Sequence, residues 1–159
     1  MIQLSPSVRL PTGLQVAPSP CMASHHPFRP LTVLLVDDDR SVRAIVTRFL
    51  AKDGVVVITE SEGQKALEIG RRYGQAIDLL ITDVYMPGQD GIALALELRA
   101  VIPDLRVLFI TGSWNPRLEV VTQTGMGGLI EPFTERQLIN AAQKLVCAER
   151  PAGHPAGTS

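Results

Sequence analysis

Three consecutive acids, Asp37, Asp38 and Asp39, close an apolar run at Leu31–Val36, and a fourth, Asp83, closes a second run at Leu79–Thr82. An acid after a strand can cap the next helix, bind a hard cation, or react with a phosphoryl group. If the two runs are neighbouring strands, their carboxylates converge at one rim of a sheet and repel each other. A divalent cation offsets such repulsion. Mg²⁺ takes one or two carboxylates and completes an octahedron with water and phosphate oxygens, and Mn²⁺ accepts the same kind of donor. Asp39 alone is read as a helix cap. For Asp38 and Asp83 together, capping leaves too much negative charge unexplained.

The elements that must position these acids follow from periodicity. Leu31–Val36 is continuously apolar, as in a strand covered on both faces. Val42, Ile45, Val46, Phe49 and Leu50 recur at helical spacing and form one apolar stripe. Val55–Thr59 reads as the second strand, and Ser61 with Gln64 as a capping box for the second helix. Leu79–Thr82 is the third strand, with Asp90 capping a helix from about Ile92. Leu105–Ile110 is the fourth, and Asn115-Pro116 supplies a cap and first turn. Leu129–Ile130 is a short fifth strand, followed by a capping box at Thr134 and Gln137. Strands alternating with helices predict an α/β fold with a doubly wound, five-stranded parallel sheet. Such sheets bind ligands beyond the carboxyl ends of their strands, where Asp37, Asp38 and Asp83 lie.

The 159 residues suit one domain. Six of the twelve prolines fall within Met1–Pro30, a stretch without period, so residues 1–30 are expected to be a disordered tail. Met22 is a possible start within it, and His25 and His26 have no ordered helix to serve. The folded domain is expected at 31–149, with a flexible tail at 150–159. A formal charge of −1 gives no general reason to bind nucleic acid or an anionic membrane. No apolar run is long enough to span a bilayer, and no signal peptide is apparent. Cys21 and Cys147 fit no metal-ligand spacing and read as two lone thiols, which points to a cytoplasmic protein.

Four motifs, in this order, resemble the receiver domains of two-component response regulators. They are Leu-Leu-Val-Asp37-Asp38, Asp83-Val-Tyr-Met-Pro87-Gly-Gln-Asp-Gly91, Phe-Ile-Thr111-Gly112 and Glu131-Pro132-Phe133. The resemblance covers Thr32–Val146 and implies a flavodoxin-like (βα)₅ sheet of order 2-1-3-4-5. It implies that Asp83 is the phosphoacceptor for a phosphoryl group from a histidine kinase or phosphotransfer protein. Asp38, Asp83 and the Tyr85 backbone carbonyl would ligate Mg²⁺, with Asp37 acting through a coordinated water. Thr111 would bond the acyl phosphate, and Gly112 would leave room for it. Output would be contact with a downstream protein that the sequence does not identify. The Glu131–Pro132 peptide bond would be cis.

Two positions depart from the family pattern. Glu131 stands where the family has lysine, and Gly128 stands where it has an aromatic residue. Three Asp carboxylates, Mg²⁺ and a lysine sum to zero, whereas an ionised Glu131 brings the sum to −2. Replacing attraction by repulsion at ~4 Å is worth on the order of several kcal/mol at an effective dielectric near ~20. Glu131 is therefore expected to turn out of the pocket or to sit near the metal. Arg40 and Arg117 each lie beside a pocket-forming loop and are read as solvated surface cations, with supply of the missing positive charge as the alternative. Trp114 could cover the site, dock a partner or simply pack.

Two alternatives stand beside the phosphorylated receiver, which is not itself an enzyme. One is a phosphorylation-independent interaction module of the same fold. The other is a small phosphohydrolase with Asp37 as nucleophile and Asp39 as acid, which leaves Asp83 and its loop unexplained.

Overall fold

The computed structural model describes residues 30–113 and 115–148. The tails expected at 1–30 and 150–159 lie outside the described residues, Pro30 apart, as does Trp114. The chain runs β1 (Thr32–Val36), α1 (Arg40–Ala51), β2 (Val56–Glu60), α2 (Gly63–Tyr73), a 3-10 turn (Gly74–Ala76), β3 (Leu79–Asp83), β4 (Tyr85–Met86) and β5 (Gln89–Asp90). It continues through α3 (Gly91–Val101), β6 (Arg106–Thr111), α4 (Pro116–Thr122), β7 (Gly127–Ile130) and α5 (Glu135–Cys147).

The five long strands form a sheet in the order β2-β1-β3-β6-β7, all parallel. β4 and β5 pair antiparallel with each other as a separate hairpin. Without that hairpin the order is the expected 2-1-3-4-5.

Side-chain parity along the strands divides the core in two. Val33 and Leu35 of β1 join Leu79, Ile81, Leu108 and Ile110 on one face, where α1 and α5 supply Val46, Leu50, Leu138 and Ala142. Leu34 and Val36 join Leu80, Val107 and Phe109 on the other, beneath Leu67 of α2, Leu94 and Leu98 of α3, and Leu118 of α4. Each fully buried Leu or Phe removes enough apolar surface to be worth about 1.5–3 kcal/mol. The continuous apolar runs are therefore the sign of strands covered on both sides.

Helix starts follow the expected caps, with one exception. Asp39 accepts from the Ser41 N–H, Asp90 from Ile92 and Ala93, and Asn115 from Leu118. Thr134 and Gln137 form a reciprocal capping box. The box expected at Ser61 and Gln64 does not form. Glu62 takes the cap position without a side-chain cap bond, so Gln64 is only the second helical residue. The Glu62 carboxylate instead pairs with Lys65 at 2.8 Å.

Three other expectations are corrected. Ile45 is exposed, because it lies at the flank of the α1 stripe, whose centre is the buried pair Val46 and Leu50. The fifth strand is longer than Leu129–Ile130 and takes in Gly127 and Gly128, with Phe109 opposite Gly128. Gly127 fits there because a Cβ would meet Leu145 at 2.8 Å and Leu108 at 3.1 Å. Cys147, read as a lone thiol, is disulfide-bonded.

Candidate functional site

Parallel pairing brings the chemistry-bearing residues to one rim. Val36 sits opposite Thr82 and Asp83 opposite Ile110, so the carboxyl ends of β1, β3 and β6 lie side by side. Asp37 and Asp38 follow β1, Asp83 ends β3, and Thr111 ends β6. Glu131 follows β7 and is held there by its N–H, which donates to the Thr111 carbonyl at 2.9 Å. All the predicted site residues thus collect around one end of the sheet.

Asp37 is buried and Asp38 is exposed. An Asp37 carboxylate oxygen accepts from the Asp39 N–H at 2.8 Å, and the Asp37 carbonyl accepts from Arg43 at 2.6 Å. Burial pushes the Asp37 carboxyl up to about 6, against the opposing bond from Asp39 and with help from the charges of Asp83, Asp38 and Glu131. Asp83 is half-buried and accepts from the Tyr85 N–H at 3.2 Å. Burial also raises its carboxyl; the N–H groups of Tyr85 and Val84 oppose that rise and Asp38 adds to it. Among the described residues no Lys or Arg side chain forms an ion pair with Asp37, Asp38, Asp83 or Glu131.

Glu131 has not turned wholly away. It is half-buried, and its carboxyl is raised first by burial and then by Asp83 and Asp39. The Glu131–Pro132 bond is cis, as the resemblance implies.

Thr111 is buried, and its hydroxyl donates to the Ser113 carbonyl at 3.0 Å. The same oxygen accepts from the Ser113 N–H at 3.4 Å. Around Gly112 a Cβ would meet nothing within 4 Å, so this position leaves open space next to Thr111.

The donor set suits a hard cation. Neighbouring negative charge raises both carboxyls in part, Asp83 and Asp38 acting on Asp37 and Asp38 on Asp83, and a divalent ion would relieve it. Among the described residues no group of three or more acids, histidines or cysteines is already gathered to hold a metal. Asp38, Asp83 and the Tyr85 carbonyl could hold such an ion, with Asp37 behind them.

Three features were not read from the sequence. A cavity of about 490 Å³ opens beside the acids, with Asp38, Tyr85, Pro87, Asp90 and Arg117 in its walls. Arg117, expected to be a solvated surface cation, is ion-paired with Asp90 at 2.5 Å. Gly91 opens α3 against the end of β3, where a Cβ would overlap the Asp83 carbonyl oxygen. Gly88, at φ +74°, does need glycine for its turn. Asn115-Pro116 was the available signal for Arg117, since that cap sets Arg117 in the first turn of α4.

Comparison with known proteins agrees with this geometry. Residues 33–143 match the response regulator receiver domain family. The response regulator receiver protein CpdR of Brucella abortus is 34% identical over 120 residues, covering 73% of this chain and 97% of that protein. The sensor kinase CckA of the same organism is 33% identical over 117 residues, but this chain spans only 12% of its length. Among solved structures, the chemotaxis protein CheY4 of Vibrio cholerae superposes with a TM-score of 0.65 at 28% identity, covering 72% of this chain and 98% of that one.

Proposed function

Because this chain belongs to the response regulator receiver domain family, we propose that Asp83 is its phosphoacceptor, with residues 31–149 as the receiver unit. The observation that carries the reading is the end of β3: Asp83 lies between Asp37 and Asp38 on one side and Thr111 on the other. A carboxylate oxygen of Asp83 attacks the phosphorus of a phosphohistidine on a histidine kinase or phosphotransfer protein. The new O–P bond forms as the P–N bond breaks, and the imidazole leaves with the electron pair and takes up a proton.

Bound Mg²⁺, or Mn²⁺ in its place, would spread the charge that develops on the phosphoryl oxygens. Asp38, Asp83 and the Tyr85 carbonyl would hold it, and Asp37 would orient one of its waters. Thr111 meets the phosphoryl group by releasing its proton from the Ser113 carbonyl, which ties occupancy of the site to the loop before α4. Output is contact with another protein; the charge balance and the absence of a membrane-length apolar helix among the described residues offer no support for nucleic acid or membrane as the target. A cytoplasmic location would accord with a kinase partner, although the disulfide at Cys147 removes the thiol argument for it.

A phosphorylation-independent interaction module is the second reading, and Glu131 favours it, because its carboxyl lies close enough to raise that of Asp83's neighbour Asp37. The phosphohydrolase has no such support: the Asp39 carboxylate already accepts from the Ser41 N–H as the cap of α1. The test is incubation with Mg²⁺ and a small acyl phosphate, read by intact mass. The reading requires one phosphoryl group per chain in the parent and none in Asp83→Asn. An unmodified parent leaves the second reading standing.

A further inference from the structure

We propose that Arg117 supplies the positive charge that the site lacks at residue 131, by exchanging Asp90 for a phosphoryl group on Asp83. The inference rests on Asp83 being phosphorylated. Four acids gather at the rim without an ion-paired Lys or Arg among the described residues. Among the described residues Arg117 is the cation that faces the same cavity as Asp38 and Tyr85. It reaches that cavity from the first turn of α4, and its side chain is 59% exposed, so it has freedom to move.

Its present partner can release it at little cost. Asp90 divides its two carboxylate oxygens between two tasks. Oδ1 accepts from the Ile92 and Ala93 N–H groups as the cap of α3, while Oδ2 holds Arg117. Departure of the guanidinium therefore leaves the α3 cap intact. What Arg117 leaves is a single, partly exposed carboxylate, and exposed pairs of that kind add little to stability. What it would join is a dianion with three oxygens, whose geometry suits a planar guanidinium in a two-bond contact. The dianion wins on charge and on number of bonds.

The exchange also has a direction. Arg117 now ties the start of α4 to the start of α3, and the new contact would draw it toward the end of β3. Loss of the Asp90 pair and gain of the phosphoryl contact would then be one event, coupled to the Thr111 loop that precedes the same helix. Arg117 acts here as a positioning residue for the phosphoryl group, and the chemistry stays at Asp83.

The test compares the parent with Arg117→Gln, Arg117→Lys, Asp90→Asn and Asp83→Asn. Each is given acetyl phosphate with Mg²⁺ and followed by intact mass. The Asp83 oxygen bonds to phosphorus as acetate departs, so charge and atoms balance without a further reactant. In parallel, beryllium fluoride with Mg²⁺ serves as a phosphoryl mimic, with affinity read by calorimetry. We expect Arg117→Gln to lose about tenfold in mimic affinity and in phosphoryl lifetime, with Arg117→Lys between it and the parent. Asp90→Asn, which keeps a good cap, should gain a few-fold in mimic affinity because Arg117 starts unpaired. A merely structural strut would lower the thermal midpoint of both Arg117→Gln and Asp90→Asn and leave the mimic affinity unchanged. If the parent takes up phosphoryl and Arg117→Gln matches it in affinity and lifetime, this inference is wrong and the receiver reading stands. If neither phosphoryl nor mimic binds the parent, both fall together.

Discussion

Stability without metal should fall as pH rises from acid toward neutrality, and Asp37 is the reason. Its carboxyl titrates at about 6 in the folded chain against 3.8 as an ordinary group. The folded chain therefore holds this proton at pH values where the unfolded chain has lost it. Stability then decreases with pH between those two values and is level above them. At about 1.4 kcal/mol per unit, the ceiling is about 3 kcal/mol. Water reaching the exposed Asp38 beside it screens part of this, and about 2 kcal/mol is the expected fall. Asp83 and Glu131 are raised too and add in the same direction. Asp90 is lowered, its own burial outweighed by Arg117 and two N–H groups, so it opposes them only below the ordinary carboxylate range. The assay is urea unfolding in a chelator at a series of pH values. Asp37→Asn keeps an oxygen for the Asp39 N–H and should remove most of the slope while raising stability at neutral pH. Added Mg²⁺ should stabilise the parent more at neutral pH than in acid. A parent whose stability is flat or rises through this window, or an Asp37→Asn slope equal to the parent's, would falsify the burial-and-repulsion account.

Three further outcomes are expected. Glu131→Lys should raise the yield or lifetime of phosphoryl on Asp83 by at least about tenfold, since two repulsions of several kcal/mol each become attractions before screening; time-resolved intact mass measures it, and an unchanged yield would mean that another group already neutralises the site. Asp83→Asn should weaken Mg²⁺ binding about tenfold or more, because a carboxylate ligand becomes a neutral amide; calorimetric titration checks this, and parent-like binding would place the metal elsewhere. Gly91→Ala should destabilise by about 1–3 kcal/mol or more, because its methyl group would overlap the Asp83 carbonyl and push the end of β3 or the start of α3 aside. Urea unfolding reads that loss, and Gly88→Ala makes the comparison, since its strain is confined to a turn with open space around it.

What the sequence revealed and what it concealed have physical reasons. The five sheet strands were legible because both faces of the sheet are covered, which forces unbroken apolar runs such as Leu31–Val36 and Leu105–Ile110. Caps at Asp39, Asp90, Asn115 and Thr134 were legible because each satisfies N–H groups one turn away. Gly127 and Gly128 hid the start of β7, since glycine carries no strand signal and Gly127 is explained only by the approach of Leu145 and Leu108 from distant segments. The false capping box at Ser61 shows the limit of a local pattern: a start one residue later removes it. At the site, motif spacing reached the acids and Thr111, which strand order then assembled. It did not reach the pairing of Arg117 with Asp90, which lie 27 positions apart and meet only because β6 lies beside β3. The same holds for the contact between Gly91 and the Asp83 carbonyl, which depends on how sharply the chain returns through the β4–β5 hairpin.

The strand order also ranks the site residues by how hard they are to disturb. β1, β3 and β6 are interior strands with a hydrogen-bonded neighbour on each side, while β2 and β7 are edges. In amide hydrogen exchange, interior strands open only with the whole molecule, whereas edges can fray in smaller excursions. Asp37, Asp83 and Thr111 sit at the ends of the three interior strands, so their spacing should persist through local fluctuation. Glu131 follows an edge strand of four residues that begins with two glycines. The framework that fixes Asp37, Asp83 and Thr111 thus does little to fix Glu131. Substitution there can retune the chemistry of the pocket while leaving the global protection of the three central strands as it was.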